Sequence, residues 1–258
     1  MTVVRSAASL STMAATSTKP PAVDWVSVPT GIVHRGTPAD QVAAVFDRHS
    51  DLPVDVEWFR KEAPRTQVFV PSFRIARTAV TNAQLSLFAD DTGRRRPTAE
   101  PDHPVTGLAW ADADAYCSWL SDRIGDAVRL PTENEWERAA RGDDTREYPW
   151  GDEFDPRLAN LHEHGAGGTL PVGSLPAGAS AFGVLDMAGN CDEWTSTTYA
   201  PYPGAPANVP GTDTFAIDRH VTRGGAWFHA RDLARCARRH GAYDTGLVGI
   251  GFRLASSL

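Results

Sequence analysis

The sequence is poor in cysteine and contains no long apolar run. Its three cysteines among 258 residues are an odd number at wide spacing, a pattern that fits neither a disulfide framework nor a zinc site. No window approaches the roughly 18 apolar residues that a membrane-spanning helix needs. These absences exclude a small disulfide-stapled protein and predict no membrane partner. They favour a protein of the reducing cytoplasm.

The sequence also lacks a run of lysine or arginine. The formal net charge is −7 at pH 7, and the sequence pI is about 5.6. Proteins that bind nucleic acid through its phosphates need clustered positive charge, because each contact neutralises a phosphate. We therefore expect no nucleic-acid partner.

The length and composition predict one large folded domain preceded by a tail. Apolar residues make up 41% of the chain, which is enough for a core of its own. Residues 1–22 contain no continuous apolar block, which is typical of a disordered tail rather than of a signal peptide. We expect residues 23–258 to form a single domain.

Helix starts are marked at three places, although 22 glycines and 19 prolines indicate much irregular structure. Thr81 is followed three residues later by Gln84, the spacing of a capping box. Thr132 and Glu135 repeat that spacing. Asp112 precedes an apolar stripe and is the predicted N-cap of the remaining helix. We interpret these helices as scaffold.

Seven stretches of the chain match those of a known family, in the same order. They are RTAVTNAQ, HPVTGLAWADADAYCSWL, RLPTENEWERAARG, YPWGDEFDPRLAN, GVLDMAGNCDEW, TRGGAWF and GIGFRLA. The sequence therefore resembles the sulfatase-modifying factor family, typified by formylglycine-generating enzyme, over about Val23 to Ala255. The resemblance implies a C-type-lectin-like α+β fold with little regular secondary structure and a core antiparallel sheet. It does not settle the activity, because the family includes copper oxidases, sulfoxide synthases and ligand-binding proteins.

The stretch DMAGNCDEW can supply the several oxygen ligands that a calcium ion requires. In formylglycine-generating enzyme the matching positions bind calcium, so the resemblance implies four ligands here. They are the carboxylates of Asp186 and Glu193 and the backbone oxygens of Gly189 and Cys191. The alternative is a loop held by its own hydrogen bonds without a metal.

The RGG stretch opens an arginine-rich segment. Its two glycines give a turn without Cβ atoms, so that the following chain can pack closely. Buried arginines are generally paired, and we therefore predict that most arginines here are structural. Arg223 and Arg253 are expected to brace loops through carboxylates and carbonyls.

The resemblance also implies a change at the family's copper site. Formylglycine-generating enzyme has Ser directly after RGG and a copper-binding Cys three residues later, whereas this chain has Ala226 and His229 there. The second copper-binding Cys has no match, since Cys236 aligns with a cysteine outside the pair. Copper(I) prefers thiolate ligands, so we expect no formylglycine formation.

A carboxylate and an imidazole replace family residues at two positions. The resemblance implies that these two positions face the same cleft. Asp192 stands where the family has a Trp, and His229 where it has the first copper-binding Cys. Such a pair suits a non-heme iron or a similar metal if a second histidine joins it. The candidates for that second ligand are His162, His164, His220 and His240. Alternatively, His229 and Asp192 bind each other or a polar ligand.

Two functions of different classes remain open. The first is a metal- and O₂-dependent oxidoreductase that uses iron or copper and acts on a small molecule or a peptide. Its predicted catalytic residues are His229, Asp192 and Tyr243, and its predicted substrate-binding residues are Trp227, Phe228 and His240. The second is a non-catalytic, lectin-like protein that presents much of the same surface to a ligand.

Overall fold

The computed structural model describes residues 19–205, 219–243 and 248–258, without the side chain of Tyr243. Most of the predicted tail, 1–22, lies outside the described residues, as does the loop that follows Tyr243. Within them the chain forms short strands and helices joined by long irregular connections. The mixed helix and sheet architecture implied by the resemblance is confirmed.

The regular elements are few for a chain of this length. The strands are β1 (Trp25–Val28), β2 (Gly31–Arg35), β3 (Thr66–Val70), β4 (Phe73–Ala76), β5 (Val128–Arg129), β6 (Asp192–Thr198), β7 (Arg219–Arg223), β8 (His240–Tyr243), β9 (Ile250–Phe252) and β10 (Ala255–Ser257). The helices are α1 (Val42–Asp47), α2 (Val56–Arg60), α3 (Asn82–Thr92), α4 (Trp110–Ile124) and α5 (Glu133–Arg141). No helix within the described ranges is long and apolar enough to span a membrane.

The strands form two four-stranded sheets and one hairpin. The first sheet has the order β1-β4-β10-β5 and is antiparallel throughout. Strands β2 and β3 form the antiparallel hairpin. The second sheet has the order β8-β7-β6-β9, in which β6 and β9 are parallel and the other pairs are antiparallel. This second sheet carries the predicted site residues Asp192 and His240.

Two of the three predicted helix starts are confirmed. Complete capping boxes open α3 at Thr81 and α5 at Thr132. The prediction for Asp112 is wrong, because α4 begins two residues earlier, after Ala109, without a side-chain cap. The indole of Trp110 donates to the backbone oxygen of Thr195 at 2.9 Å, so a tertiary contact anchors this helix start. Asp112 lies in the first turn, where its negative charge interacts favourably with the helix dipole.

The core divides into two large apolar clusters. In one, Tyr116 and Leu120 of α4 pack with Trp194 and Phe252 of the second sheet. In the other, Trp136 of α5 packs with residues of β1, β2, β3 and β4. The two clusters hold the second sheet and α5 in place, and the polar side chains of α5 take part in the ionic network described below.

Candidate functional site

A cavity of about 280 Å³ opens between α2, the second sheet and the chain that joins β7 to β8. Its lining residues are Trp58, Asp192, Thr222, Arg223, Gly224, Gly225, His229, Leu233, Arg238 and His240. The fold therefore brings together three of the predicted site residues, Asp192, His229 and His240, from three separate parts of the chain.

The RGG turn shapes one wall of this cavity. Gly224 and Gly225 have φ angles of +99° and +74°, which residues with a side chain rarely adopt. A Cβ on Gly225 would also lie 3.2 Å from the backbone oxygen of Leu233. The predicted need for two residues without Cβ is confirmed, and the tight turn returns the chain to the cavity at His229.

Asp192, the first residue of β6, is held in place by two hydrogen bonds. Its Oδ2 accepts from the Thr222 hydroxyl at 3.1 Å, and its Oδ1 accepts from the backbone N–H of Gly225 at 3.2 Å. These bonds fix the carboxylate against the RGG turn. Because each carboxylate oxygen has two acceptor positions, Asp192 can still accept a hydrogen bond from a ligand.

His229 is held by the same turn. Its Nδ1 accepts a hydrogen bond from the backbone N–H of Ala226 at 2.9 Å, so a neutral ring carries its proton on Nε2. Burial lowers the pKa of His229 below the usual 6.5, the charge of Asp192 opposes that shift, and Arg238 adds to it. The arrangement makes His229 a neutral hydrogen-bond donor through Nε2.

Strand β8 contributes His240, which lines the cavity and is also exposed to solvent. Removal of water from part of the ring lowers the pKa of His240, and the positive charges of Arg238 and Lys61 lower it further. Its ring is therefore neutral near pH 7. Tyr243 ends the same strand and pairs with Arg219 through the backbone. Its side chain lies outside the described residues, so its catalytic role stays a prediction.

Trp227 and Phe228 lie beside the cavity rather than in its lining. The backbone N–H of Trp227 donates to the backbone oxygen of Asn190 at 3.2 Å. Phe228 packs edge-on against the His229 ring, with 4.5 Å between ring centroids, and is 38% exposed. Both aromatics flank His229, and their roles in substrate binding stay predictions.

Arg223 belongs to a buried ionic network. Its Nη2 donates to Glu133 at 2.9 Å and to Glu137 at 2.7 Å. Arg239 donates to both carboxylate oxygens of Glu133, at 2.8 and 3.0 Å. The Tyr202 hydroxyl also donates to Glu133, at 3.0 Å. The expected structural role of Arg223 is confirmed, and the network ties α5 to β7 and β8.

Three of the four residues predicted to bind calcium have oxygens that already accept hydrogen bonds. Both carboxylate oxygens of Glu193 accept from Arg253, at 2.6 Å each, so Arg253 braces this loop as predicted. Asp186 accepts from the backbone N–H of Gly173 at 2.6 Å. The backbone oxygen of Gly189 accepts from the N–H of Cys191 at 2.9 Å. Arg253 thus supplies the positive charge here, and calcium binding stays a prediction.

The cavity does not fit iron or copper as it stands. A metal-bound imidazole presents a lone pair to the metal and donates through its other nitrogen, whereas Nδ1 of His229 accepts from Ala226. Within the part of the chain that the structure describes, no three His, Cys, Asp or Glu side chains form a group that could hold a metal ion. No step of the chemistry is therefore assigned to a metal held by these residues.

Four residues of the cavity lining, Trp58, Thr222, Leu233 and Arg238, were not predicted from the sequence. Trp58 comes from α2, a helix without a clear periodic pattern, and is 45% exposed. The sequence analysis predicted that most arginines of this segment are structural. Arg238 and Arg239 are adjacent, so the sequence does not indicate that only one of them binds a carboxylate directly. The segment contains more arginines than carboxylates, and this excess could have indicated that one arginine has no carboxylate partner nearby in the sequence.

With this geometry established, the chain can be compared with known proteins. The fold is that of lectin-like proteins related to formylglycine-generating enzyme. Residues 11–258 match the family model described as the sulfatase-modifying factor enzyme 1-like domain, and the chain belongs to this family.

Relatives and a solved structure agree with that assignment. The chain is 34% identical over 229 residues to hercynine oxygenase of Mycolicibacterium thermoresistibile, covering 69% of this chain and 49% of the relative. It is 36% identical over 176 residues to formylglycine-generating enzyme of Mycobacterium tuberculosis, covering 58% and 56%. The structure of PvdO from Pseudomonas aeruginosa superposes with a TM-score of 0.71 at 26% identity, covering 94% of this chain and 100% of PvdO.

The matches to hercynine oxygenase concern only part of that enzyme. The chain spans about half the length of the hercynine oxygenases it matches. The chain is thus a relative of hercynine oxygenase across the domain they share.

Proposed function

We propose that this chain is an oxygenase-type member of the family that binds a small molecule or a peptide in the cavity of Asp192, His229 and His240. The reaction is an oxidation by O₂ that depends on iron or copper. No step of this reaction is assigned to the metal, because the described residues do not assemble a site that could hold one.

One observation carries the proposal. Asp192 and, from a later segment of the chain, His229 and His240 line one cavity of about 280 Å³, in a chain related to hercynine oxygenases. Buried polar groups need partners, and a cavity with a few convergent polar groups is the usual form of a small-molecule site. A substrate bound here can accept a hydrogen bond from Nε2 of His229 and donate one to Asp192, in addition to the bonds that hold these groups in place.

The cavity residues have distinct tasks in such a site. His229 is fixed as a donor at Nε2 and can hold an oxygen or another acceptor of the substrate. Asp192 is fixed as an acceptor and can orient a donor group. Neither carries out a step through a metal, and both position the substrate for oxidation.

The test uses the full chain supplied with iron(II) or copper(I), O₂ and hercynine. O₂ consumption is measured with an electrode and product mass by mass spectrometry. His229→Ala should lower turnover by about 100-fold, the effect expected when a substrate is no longer held in its reactive position. Its thermal melt should stay close to that of the wild type, because the ring is only partly buried.

His34→Ala is the matched control, since His34 lies on β2 and is not in the cavity lining. Turnover by His229→Ala equal to that of His34→Ala and the wild type would contradict the assignment of the active cavity.

A second function, non-catalytic ligand binding, is favoured by one observation. The hydrogen bond from Ala226 to Nδ1 of His229 orients the ring for a polar ligand rather than for a metal. Metal analysis of the purified chain separates the two functions. Close to one iron or copper per chain, with O₂ consumption, supports the oxygenase, whereas binding without redox metal or O₂ consumption supports the alternative.

A further inference from the structure

Arg238 is a buried cation in the cavity wall that forms no salt bridge with any carboxylate of the described residues, although Glu62, Asp232 and Asp192 act on it at longer range. It is 7% exposed. One of its Nη groups donates to the backbone oxygen of Arg239, while its buried Nε has no hydrogen-bond partner among the residues that the structure describes. A buried charge without a partner is strongly disfavoured. Arg238 therefore differs from Arg223 and Arg239, whose guanidinium groups bind carboxylates directly.

The carboxylates nearest to Arg238 do not form a direct ion pair with it among the described residues. Glu62 binds Arg235 through both of its oxygens, and Asp192 accepts from Thr222 and Gly225. Burial raises the pKa of Asp232, and the positive charges of Arg238 and Arg235 oppose that shift. The carboxylates near Arg238 therefore leave room for an external anion.

The charges around His240 reinforce this conclusion. Arg238, Lys61 and Arg219 all lie close enough to lower the pKa of His240, and Arg238 and Arg219 also act on Lys61. Three cations and a neutral imidazole thus give this side of the cavity a positive field, which attracts anions.

We propose that Arg238 anchors a carboxylate of the molecule bound in this cavity. Arginine presents a planar fork of donors that matches the two oxygens of a carboxylate. A multiply charged phosphate fits less well, because Asp192 lines the same space and repels a second negative charge. The proposal rests on the proposed use of this cavity as the substrate site and adds the chemical class of the substrate.

The size and lining of the cavity limit the rest of that molecule. A volume of about 280 Å³ lies at the lower end of small-molecule sites. Leu233 and Trp58 give it an apolar part. A small acid, or a carboxylate at the end of a peptide that enters from the open side, meets these conditions.

The test measures binding without metal or turnover, using simple probes at constant ionic strength. The full chain, labelled with ¹⁵N, is titrated with benzoate, with uncharged benzamide and with inorganic phosphate. The Nε–H signals of its arginines are followed by NMR. Benzoate should shift the Arg238 signal saturably, and benzamide and phosphate should bind about tenfold more weakly or less well still.

Two variants complete the test. Arg238→Met should weaken benzoate binding by about tenfold or more, and Arg238→Lys should restore part of it. Arg60→Met is the control, since it removes the same charge from an exposed position of α2. If Arg238→Met does not fold, the Arg238→Lys comparison with the wild type decides alone. A short peptide with a free C-terminal carboxylate, compared with its amide, then distinguishes a peptide from a small acid as the source of the carboxylate.

Several outcomes would overturn the proposal. They are no saturable shift with benzoate, equal binding of benzamide, tighter binding of phosphate, or unchanged benzoate affinity in Arg238→Met. O₂ consumption with hercynine that persists in the absence of benzoate binding would remove the carboxylate anchor but leave the proposed function intact. Benzoate binding without O₂ consumption would support the carboxylate anchor and contradict the proposed oxygenase function.

Discussion

Arg238 and Arg239 are neighbours in the chain and both are buried, yet their surroundings differ. Arg239 donates to both oxygens of Glu133 and to the backbone oxygen of Ala200. Arg238 donates to a backbone oxygen and lines the cavity. Burial lowers the pKa of Arg238, whereas for Arg239 the attraction of Tyr202 and Glu133 outweighs burial and raises the pKa. Among the described residues, Arg238 has no carboxylate in salt-bridge contact, whereas Arg239 binds Glu133 through two hydrogen bonds.

This difference separates stability from function. A paired buried charge is costly to break, because removing one member leaves the other uncompensated. An unpaired buried charge lowers the stability of the folded protein. Such a residue is expected where a bound ligand supplies the opposite charge. The buried network of Glu133, Glu137, Arg223 and Arg239 therefore holds the fold, and the cavity wall at Arg238 is available for binding.

The largest effect should come from breaking the network. Replacing Arg239 by Met leaves Glu133 with one arginine instead of two, in a site that is 2% exposed. We expect a loss of about 3–5 kcal/mol in the free energy of unfolding. Denaturant unfolding followed by tryptophan fluorescence measures it. A loss below about 1 kcal/mol would show that the network is not what holds α5 to the second sheet.

Acid should weaken the same network. Burial disfavours the charged form of Glu133, but Arg239 and Arg223 outweigh it and lower the pKa below the usual 4.5. As pH falls below 4.5 the unfolded state takes up a proton before the folded state does, so stability decreases through the lower, folded-state pKa. One such group contributes at most about 1.4 kcal/mol per pH unit.

Glu133→Gln should therefore be less stable at neutral pH and should lose less stability below pH 4.5 than the wild type. Denaturant unfolding at a series of pH values measures both effects. Glu153→Gln, at an exposed position, is the control and should follow the wild type. Identical slopes for Glu133→Gln and the wild type would mean that this carboxylate is not a source of acid sensitivity.

Local rules of the sequence predicted much of the scaffold. The capping boxes at Thr81 and Thr132 depend only on residues three positions apart, so they could be identified without the fold. The start of α4 could not, because it depends on the contact between Trp110 and Thr195, which are 85 positions apart. Sheet order, with its one parallel pair, depends on the resemblance and on tertiary packing rather than on any single strand pattern.

The site was predicted in part, and for a similar reason. Asp192 and His229 were predicted as site residues because they differ from the family pattern, and the fold places both in one cavity. The state of the His229 ring could not be predicted, because it depends on the hydrogen bond from Ala226. Arg238 and Arg239 cannot be told apart by sequence, since only the position of Glu133 on α5 decides which of them is paired.

A smaller effect tests how firmly α5 presents Glu133. Thr132 accepts from the backbone N–H of Glu135 and Glu135 returns a bond to Thr132, one residue before Glu133. Thr132→Ala removes half of this capping box and should cost about 1 kcal/mol. Denaturant unfolding measures the loss, and Thr81→Ala in α3 provides the comparison. A cost well above that of Thr81→Ala would mean that the cap also supports the ionic network.

The smallest effect should come from Arg238 itself, and it is the sharpest test of the comparison. Arg238→Met removes a buried cation that forms no ion pair within the described ranges, and it keeps a side chain of similar length. The lost hydrogen bond to the Arg239 oxygen costs about 1 kcal/mol, while the relief of an uncompensated buried charge acts in the opposite direction. We therefore expect a change within about 1 kcal/mol of zero, of either sign, against the large loss for Arg239→Met measured under the same conditions. Equal losses in the free energy of unfolding for the two variants would mean that Arg238 is a structural member of the network. Arg238 would then not be available to bind an anionic ligand.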